Sequence, residues 1–415
     1  MKFGIFYEHQ LPRPWRQDSE YRLLQESLEQ IELADTLGYD YAWEVEHHFL
    51  EEYSHSSAPE VFLGAASQRT RNIRLGHGVI QLTTNHPARV AERVATLDLL
   101  SKGRVEFGMG EAAGPVELHP FHVRVRDKRD VWEEAVKAII PMFTHEAWEW
   151  HGTYFDLPPR NVLPKPYQKP HPPLWVACSN IATIAKAGEW GLGALGFQFV
   201  SPDAARAWVN KYYLNLTHNL HKLTDYPTNA NIAMVSGFMC AETDELAREQ
   251  AAGWTFFIFC LSHYGRHGML RPGEGSMWEL YQDWRTSEQA QQALHSGLIG
   301  SPETLRRTLR EFQAAHVDQV ILLNQAGHAT HPQICESLSL FAREVMPEFQ
   351  AADTQQMQWK QEVLAGRIVL EDLDVSTHKV YTHQNEDIVR LTPEELKRKM
   401  ADKESQARQG GAASR

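Results

Sequence analysis

Apolar residues follow two periods along this chain, and the two periods take turns. Lys2–Tyr7 (KFGIFY) is a short apolar run of strand length. Glu20–Leu37 then places Leu24, Leu28, Ile31 and Leu37 at helical spacing, and Gly38 follows as a stop. The alternation continues. Strands are predicted at Tyr39–Val45, Ile73–Leu82 and Arg104–Met109. Helices are predicted at Pro59–Gln68, Ala88–Leu100 and Lys128–Phe143. Glu149–Leu157 reads as an inserted surface hairpin, and the proline-rich stretch Leu163–Pro173 as a loop. The pattern then resumes with strands at Leu174–Cys178, Gly193–Phe197, Asn231–Cys240 and Gln319–Asn324. Helices between and after them start near Ile181, Ser201-Pro202, Glu245, Ser301-Pro302 and Pro332.

Strands that alternate with helices at this spacing predict parallel βα units. Eight strands predict an α/β fold of the (β/α)₈ barrel type, which needs about 250 residues and tolerates insertions. Residues 1–350 are assigned to the barrel. Ser262–Gly297, glycine-bearing and too long for a plain connection, reads as a lid. Residues 351–415 read as a polar, partly helical extension, with a helix start at Thr392 and a disordered end from Gln409.

Composition narrows the function. Hydrophobic residues make up 42% of 415, enough for a large core. The net charge of -12 repels nucleic acid. The most apolar stretch, Trp254–Leu261, is far shorter than a membrane span, and the first residues lack a signal-peptide core, so a cytoplasmic protein is expected. The four cysteines form no C-x-x-C pair, which argues against a zinc ribbon and a disulfide framework.

Chemistry concentrates where strands end, because the catalytic groups of such barrels sit at that face. Glu46-His47-His48-Phe49 follows the second strand. A histidine there can serve as acid, base or hydrogen-bond donor, or can be a satisfied loop residue. A metal site is disfavoured. The two histidines are adjacent, so a strand would point them apart. His9, His77, His86, His119 and His122 show no ligand spacing.

Taken in order, Glu46-His47-His48-Phe49, Asn85-His86-Pro87, Leu100–Arg104 with Phe107–Gly110, Pro173–Ala177, and Gly300–Glu303 through Val345–Pro347 resemble the bacterial luciferase-like flavin-dependent monooxygenases. The likeness spans about residues 1–350. It implies the same barrel. It also implies FMN, used as reduced FMNH2 from a separate NAD(P)H:flavin reductase, with dioxygen and a small organic substrate. By the resemblance His47 is the catalytic histidine, which assists proton movement at the flavin. Gly78 and Val79 match a non-prolyl cis peptide beneath the flavin ring. Ser179 and Asn180, with Arg129, match the phosphate site. A helix N-terminus suits an anion there, although Ser179 also reads as a plain helix cap. Glu111 stands where the family carries a phosphate-binding arginine, so it is expected to turn away or to pair with a cation such as Arg129. A homodimer is implied as well. Two other functions stay open: hydride transfer with a deazaflavin, and a non-catalytic flavin-binding partner subunit, which the presence of His47 disfavours.

Overall fold

Eight parallel strands close into a barrel in the computed structural model, which describes residues 1–112, 114–197, 202–267, 270–271, 273, 275–288, 290 and 297–373. They are β1 (Lys2–Tyr7), β2 (Tyr41–Glu44), β3 (Arg74–His77), β4 (Val105–Gly110), β5 (Leu174–Cys178), β6 (Gly193–Gly196), β7 (Ile232–Cys240) and β8 (Gln319–Leu323). Closure is visible at Gln319, which lies opposite Lys2 of β1 on one side and Ala233 of β7 on the other. Alternate residues point to opposite faces of each strand, so two cores form. Phe3, Ile5, Leu75, Phe107 and Leu322 pack outward under the helices. Phe6, Trp43, Trp175, Leu195, Val235 and Ile321 belong to the second cluster, which fills the barrel.

Two tryptophans occupy much of that interior. Trp43 and Trp175 meet edge to face, with ring centroids 5.4 Å apart. Glycines make the room. A Cβ on Gly76 would come within 2.2 Å of the Trp43 ring, and one on Gly193 within 2.4 Å of the Trp175 ring. The bulky ring on one strand thus requires the missing side chain on its neighbour.

Helices cover the outside. Ser19–Leu37 ends at Gly38 in the left-handed conformation (φ 84°), whose amide returns to the last turn. Pro87–Leu100 and Pro302–Ala314 begin with proline in the first turn. The hairpin at Trp148–His151 and Asp156–Arg160 sits outside the barrel. The Glu134 carboxylate holds its turn by accepting the amides of Thr153, Tyr154 and Phe155.

The structure departs from the sequence reading in two places and adds detail in two more. The third predicted strand is interrupted: β3 stops at His77, the Gly78–Val79 bond is cis, and pairing resumes at Ile80–Gln81. The helix predicted over Glu245–Phe259 is two, Asp244–Gln250 and Ala252–His267. Part of the long segment after it is regular. The helix Met277–Trp284 buries Met277, Leu280 and Tyr281 in the inner cluster, and Leu298–Gly300 adds a short strand beside β7. Finally, Asp353–Leu364 is a helix that closes the N-terminal end of the barrel. Its Lys360 lies 2.9 Å from Asp318, and Trp359 stacks on His316 with centroids 3.9 Å apart. The helix start at Thr392 and the chain end from Gln409 lie outside the described residues.

Candidate functional site

The C-terminal ends of β1 and β2, with the loop after β4, bring three side chains together around His47. The Nδ1 of His47 lies 2.9 Å from Oε1 of Glu117, and its Nε2 lies 3.5 Å from Oε2 of Glu8. Both carboxylates are almost fully buried, at 1% and 4% exposure of the side chain, while His47 keeps 18%. Burial works against a charge on the imidazole. The Glu117 and Glu8 carboxylates outweigh it and push His47 up to about 9. Burial pushes Glu8 up to about 7, against the pull of His47 and the Tyr53 hydroxyl. Burial would also raise Glu117, but His47 and the donors from His48 and Gln81 hold it below its ordinary value. The result is an imidazolium between an ionised carboxylate and one that titrates near neutrality. Such a trio can hold a proton and hand it on.

Other groups fix this trio in place. The Gln81 amide reaches Oε1 of Glu117 at 2.6 Å and the carbonyl of Glu46 at 2.8 Å. The His48 backbone N–H donates to the same Glu117 oxygen at 3.0 Å. The Tyr53 hydroxyl donates to Oε1 of Glu8 at 3.1 Å. The two adjacent histidines have different partners, although they lie in the irregular stretch past β2. His48 faces away from Glu117 with its ring and meets Oε1 of Glu46 at 3.0 Å. Glu46 in turn accepts from Asn85 and from the Gln81 backbone, both at 2.8 Å.

The cis Gly78–Val79 bond lies beside this trio, with the Val79 carbonyl accepting from the Glu46 amide at 3.1 Å. β4 makes room for it. A Cβ on Gly108 would lie 1.9 Å from the His77 carbonyl oxygen, and one on Gly110 would lie 2.2 Å from a Val79 methyl.

A second polar group forms where β4 and β5 end. Arg129, in the first turn of the helix Lys128–Met142, reaches Glu111 at 2.8 Å, so Glu111 is paired with the cation the sequence suggested. The guanidinium lies 5.5 Å from the ring centres of both Trp132 and Trp190. Ser179 and Asn180 join β5 to the helix Ile181–Trp190. The cap of that helix is Asn180 and not Ser179: its side chain accepts from Thr183 N at 3.0 Å, in a reciprocal capping box. Ser179 is exposed just before it. A guanidinium, an exposed serine hydroxyl and a helix N-terminus are each groups of the kind a phosphate takes.

Sequence reasoning named His47, Gly78, Val79, Arg129, Ser179 and Asn180: the structure sets Gly78-Val79 next to the Glu46–His47 stretch, pairs Arg129 with Glu111, and puts Ser179 and Asn180 between β5 and the next helix. It missed Glu8, Glu117, Gln81 and Tyr53. The available signal for Glu8 was its position one residue past β1, where a barrel presents functional groups. No spacing rule points to Glu117. Among the described residues no group of three or more His, Cys, Asp or Glu side chains could hold a metal ion. Burial keeps His9 and His77 neutral, down at about 3 and about 4. No described helix is long and apolar enough to cross a membrane.

The family profile described as luciferase-like monooxygenase matches residues 1–319. Limonene 1,2-monooxygenase of Rhodococcus erythropolis is 26% identical over 360 residues, 84% of this chain and 86% of its own. The uncharacterized protein y4wF of Sinorhizobium fredii is 34% identical over 149 residues, 36% of this chain. The chain spans under half the length of that relative, 43%. The solved monooxygenase RslO1 from Streptomyces bottropensis superposes with a TM-score of 0.69 at 26% identity, over 84% of this chain and 100% of that one. Two further barrels show only the fold. The oxygenating constituent of 3,6-diketocamphane monooxygenase from Pseudomonas putida, in complex with FMN, has a TM-score of 0.66 at 20% identity, covering 84% of this chain and 98% of its own. A coenzyme F420-dependent reductase from Methanopyrus kandleri has 0.62 at 21%, covering 84% and 99%. With the family profile spanning most of its length, the chain belongs to the luciferase-like monooxygenases.

Proposed function

We propose that this protein is the oxygenase of a two-component system, which takes reduced FMN from a separate NAD(P)H:flavin reductase and oxygenates a small organic substrate with dioxygen. The observation that carries the reading is His47, held protonated between Glu117 at 2.9 Å and Glu8 at 3.5 Å at the barrel mouth. When bound, reduced FMN supplies two electrons to dioxygen, so that one oxygen atom enters the substrate and the other leaves as water. Arg129, Ser179 and the first amides of the helix after Asn180 would hold its phosphate. Val79, with Gly78, would lie under its ring.

The chain's own residues supply the proton chemistry. Near neutral pH the Nδ1–H of His47 is donated to Glu117, which leaves the Nε2 proton directed toward Glu8 and the mouth. Glu8 titrates close to neutrality, so it can take that proton and return it without a large energy step. Gln81 and Tyr53 keep both carboxylates aimed at the ring. An unperturbed histidine in water would be protonated less than half the time at pH 7, and the buried carboxylates remove that loss.

Dioxygen uptake with chemically reduced FMN, measured beside product formed from a panel of aldehydes, ketones, terpenes and heteroaromatics, tests this reading. Substrate-dependent product containing oxygen from ¹⁸O₂ is expected. Hydride transfer from a reduced deazaflavin, with no oxygen incorporated, would replace it by the deazaflavin reading. Flavin binding with neither activity would make the chain a partner subunit. The same reading takes the chain to be a cytoplasmic homodimer and its Ser262–Gly297 segment, part of which lies outside the described residues, to be a lid. Sedimentation, cell fractionation and hydrogen exchange with and without flavin check these points.

A further inference from the structure

The loop that carries His47 also holds the long segment after β7, and one buried carboxylate makes the connection. Glu52 lies in the short turn Glu51–Tyr53, five residues past His47, and is 1% exposed. Its Oε1 accepts the amide of Met277 at 2.6 Å, and its Oε2 accepts the amide of Trp278 at 3.1 Å and the Ser276 hydroxyl at 3.2 Å. These groups are the start of the helix Met277–Trp284. A carboxylate at a helix N-terminus satisfies its orphan amides and complements the helix dipole. Ser276 already caps the same turn from within the segment. Glu52 is therefore a second cap, more than two hundred residues away in the chain. It is held on its other side by the Arg13 amide at 2.9 Å.

The next residue reaches the other way. The Tyr53 hydroxyl donates to Glu8 at 3.1 Å, and its ring lies 5.6 Å from the His47 ring. Tyr53 also packs on Phe257 and Tyr264 of the helix Ala252–His267, and the Tyr264 hydroxyl donates to the Leu50 carbonyl at 3.0 Å. The turn is tightly specified, with Phe49 and Glu51 both at positive φ (66° and 34°). Glu52 and Tyr53 are adjacent in this turn, so a shift of one is passed along the backbone to the other.

We infer that Glu52 is a positioning residue: it ties docking of the Met277–Trp284 helix to the alignment of Tyr53, Glu8 and His47. The inference rests on reading His47 as the proton-handling group. When the helix is seated on Glu52, Tyr53 is set against Glu8 and the pair is complete. When the helix lifts away, Glu52 loses three of its four donors, keeping the Arg13 amide, and the turn loosens. The proton chemistry is then assembled only under a closed segment, which suits a reaction that water would spoil.

Two readouts on the full chain test it: hydrogen exchange of the 276–281 amides, and the titration midpoint of His47 followed by NMR. Glu52→Ala is expected to speed exchange at Met277 and Trp278 on the order of tenfold and also to move the His47 midpoint. Glu52→Asp should restore part of both. Tyr53→Phe should move the His47 midpoint while leaving the exchange slow. In the double variant the His47 shift should equal that of Tyr53→Phe alone, because the path runs through Tyr53. Faster exchange with an unmoved His47 midpoint would reduce Glu52 to a helix cap and overturn the inference. Additive shifts in the double variant would overturn the route through Tyr53. Should Glu52→Ala not fold, the comparison of Glu52→Asp with Tyr53→Phe carries the same test. Neither readout requires turnover. A wild-type protein that forms no product would sink the functional reading, while these measurements still decide the coupling.

Discussion

Two cations at the barrel mouth sit against carboxylates, and their surroundings differ sharply. His47 is enclosed with Glu8 and Glu117, side chains exposed by 4% and 1%. Arg129 is exposed by 39%, and its partner Glu111 by 17%. In the first pair little water competes, so each carboxylate acts strongly on the imidazole. In the second, solvent screens the attraction, and such pairs contribute only about 0–1 kcal/mol. The first arrangement is permanent and sets a protonation state. The second is loose enough for Arg129 to exchange Glu111 for another anion. A resident acid and an exchangeable anion site are what a protein needs if its flavin arrives and leaves as a cosubstrate.

The comparison can be broken most severely at His47. Replacing it by alanine should lower product formed per reduced flavin oxidised by about 10²–10⁴-fold, the usual worth of a positioned acid or base, while oxygen uptake continues as wasteful peroxide release. His48→Ala, which removes a ring that meets Glu46 but keeps the backbone amide that holds Glu117, should leave most of the coupling intact. Normal coupling in His47→Ala would end the assignment.

Next in size is the buried partner. Glu117→Ala leaves an imidazolium without its main counter-charge, and denaturant unfolding should show a loss of about 3–5 kcal/mol. The pH dependence follows from linkage. The folded-state value of His47 lies above its ordinary 6.5, at about 9. The stability it contributes is therefore full below about 6.5 and is lost as pH rises through about 9. The difference in unfolding free energy between wild type and His47→Gln should shrink over that window. A difference that grows with pH would show that the sign is wrong.

The exposed pair should respond more gently. Arg129→Ala is expected to weaken reduced-FMN binding by about 1.5–3 kcal/mol, as for a hydrogen bond to a charged group. Glu111→Gln should tighten it, because Arg129 loses the partner that competes with phosphate. Equilibrium binding of reduced FMN under anaerobic conditions measures both. Loss of binding in Glu111→Gln with normal binding in Arg129→Ala would put the phosphate elsewhere. Smallest of all, Asn180→Ala should cost about 1 kcal/mol of stability through the lost cap, and thermal unfolding should report it while Ser179→Ala unfolds as wild type.

The sequence made the barrel legible because its two apolar periods are local. Each strand declares itself within a few residues, and Gly38 or Pro302 punctuates the helices beside it. The break at Gly78–Val79 was legible only through resemblance, since no local rule predicts a cis bond at glycine and valine. His47 was visible from its strand-end place and its motif. Glu8 and Glu117 were not, because their role depends on which strand ends become neighbours around a closed ring, and the two lie 109 residues apart in the chain. The same limit hid Glu52, whose partners at Ser276, Met277 and Trp278 are brought to it only by the fold. It also let Ser179 pass as the cap, a role that one residue of offset gives to Asn180.

The account stands on a protonated His47 at neutral pH, and the titration of its imidazole by NMR tests that most directly. In the wild-type protein a midpoint of about 9 is expected, falling toward the ordinary 6.5 in Glu117→Gln. A wild-type midpoint at or below 6.5, unmoved by Glu117→Gln, would mean that the buried carboxylates do not charge the ring, and the proton-handling role drawn for it would be contradicted.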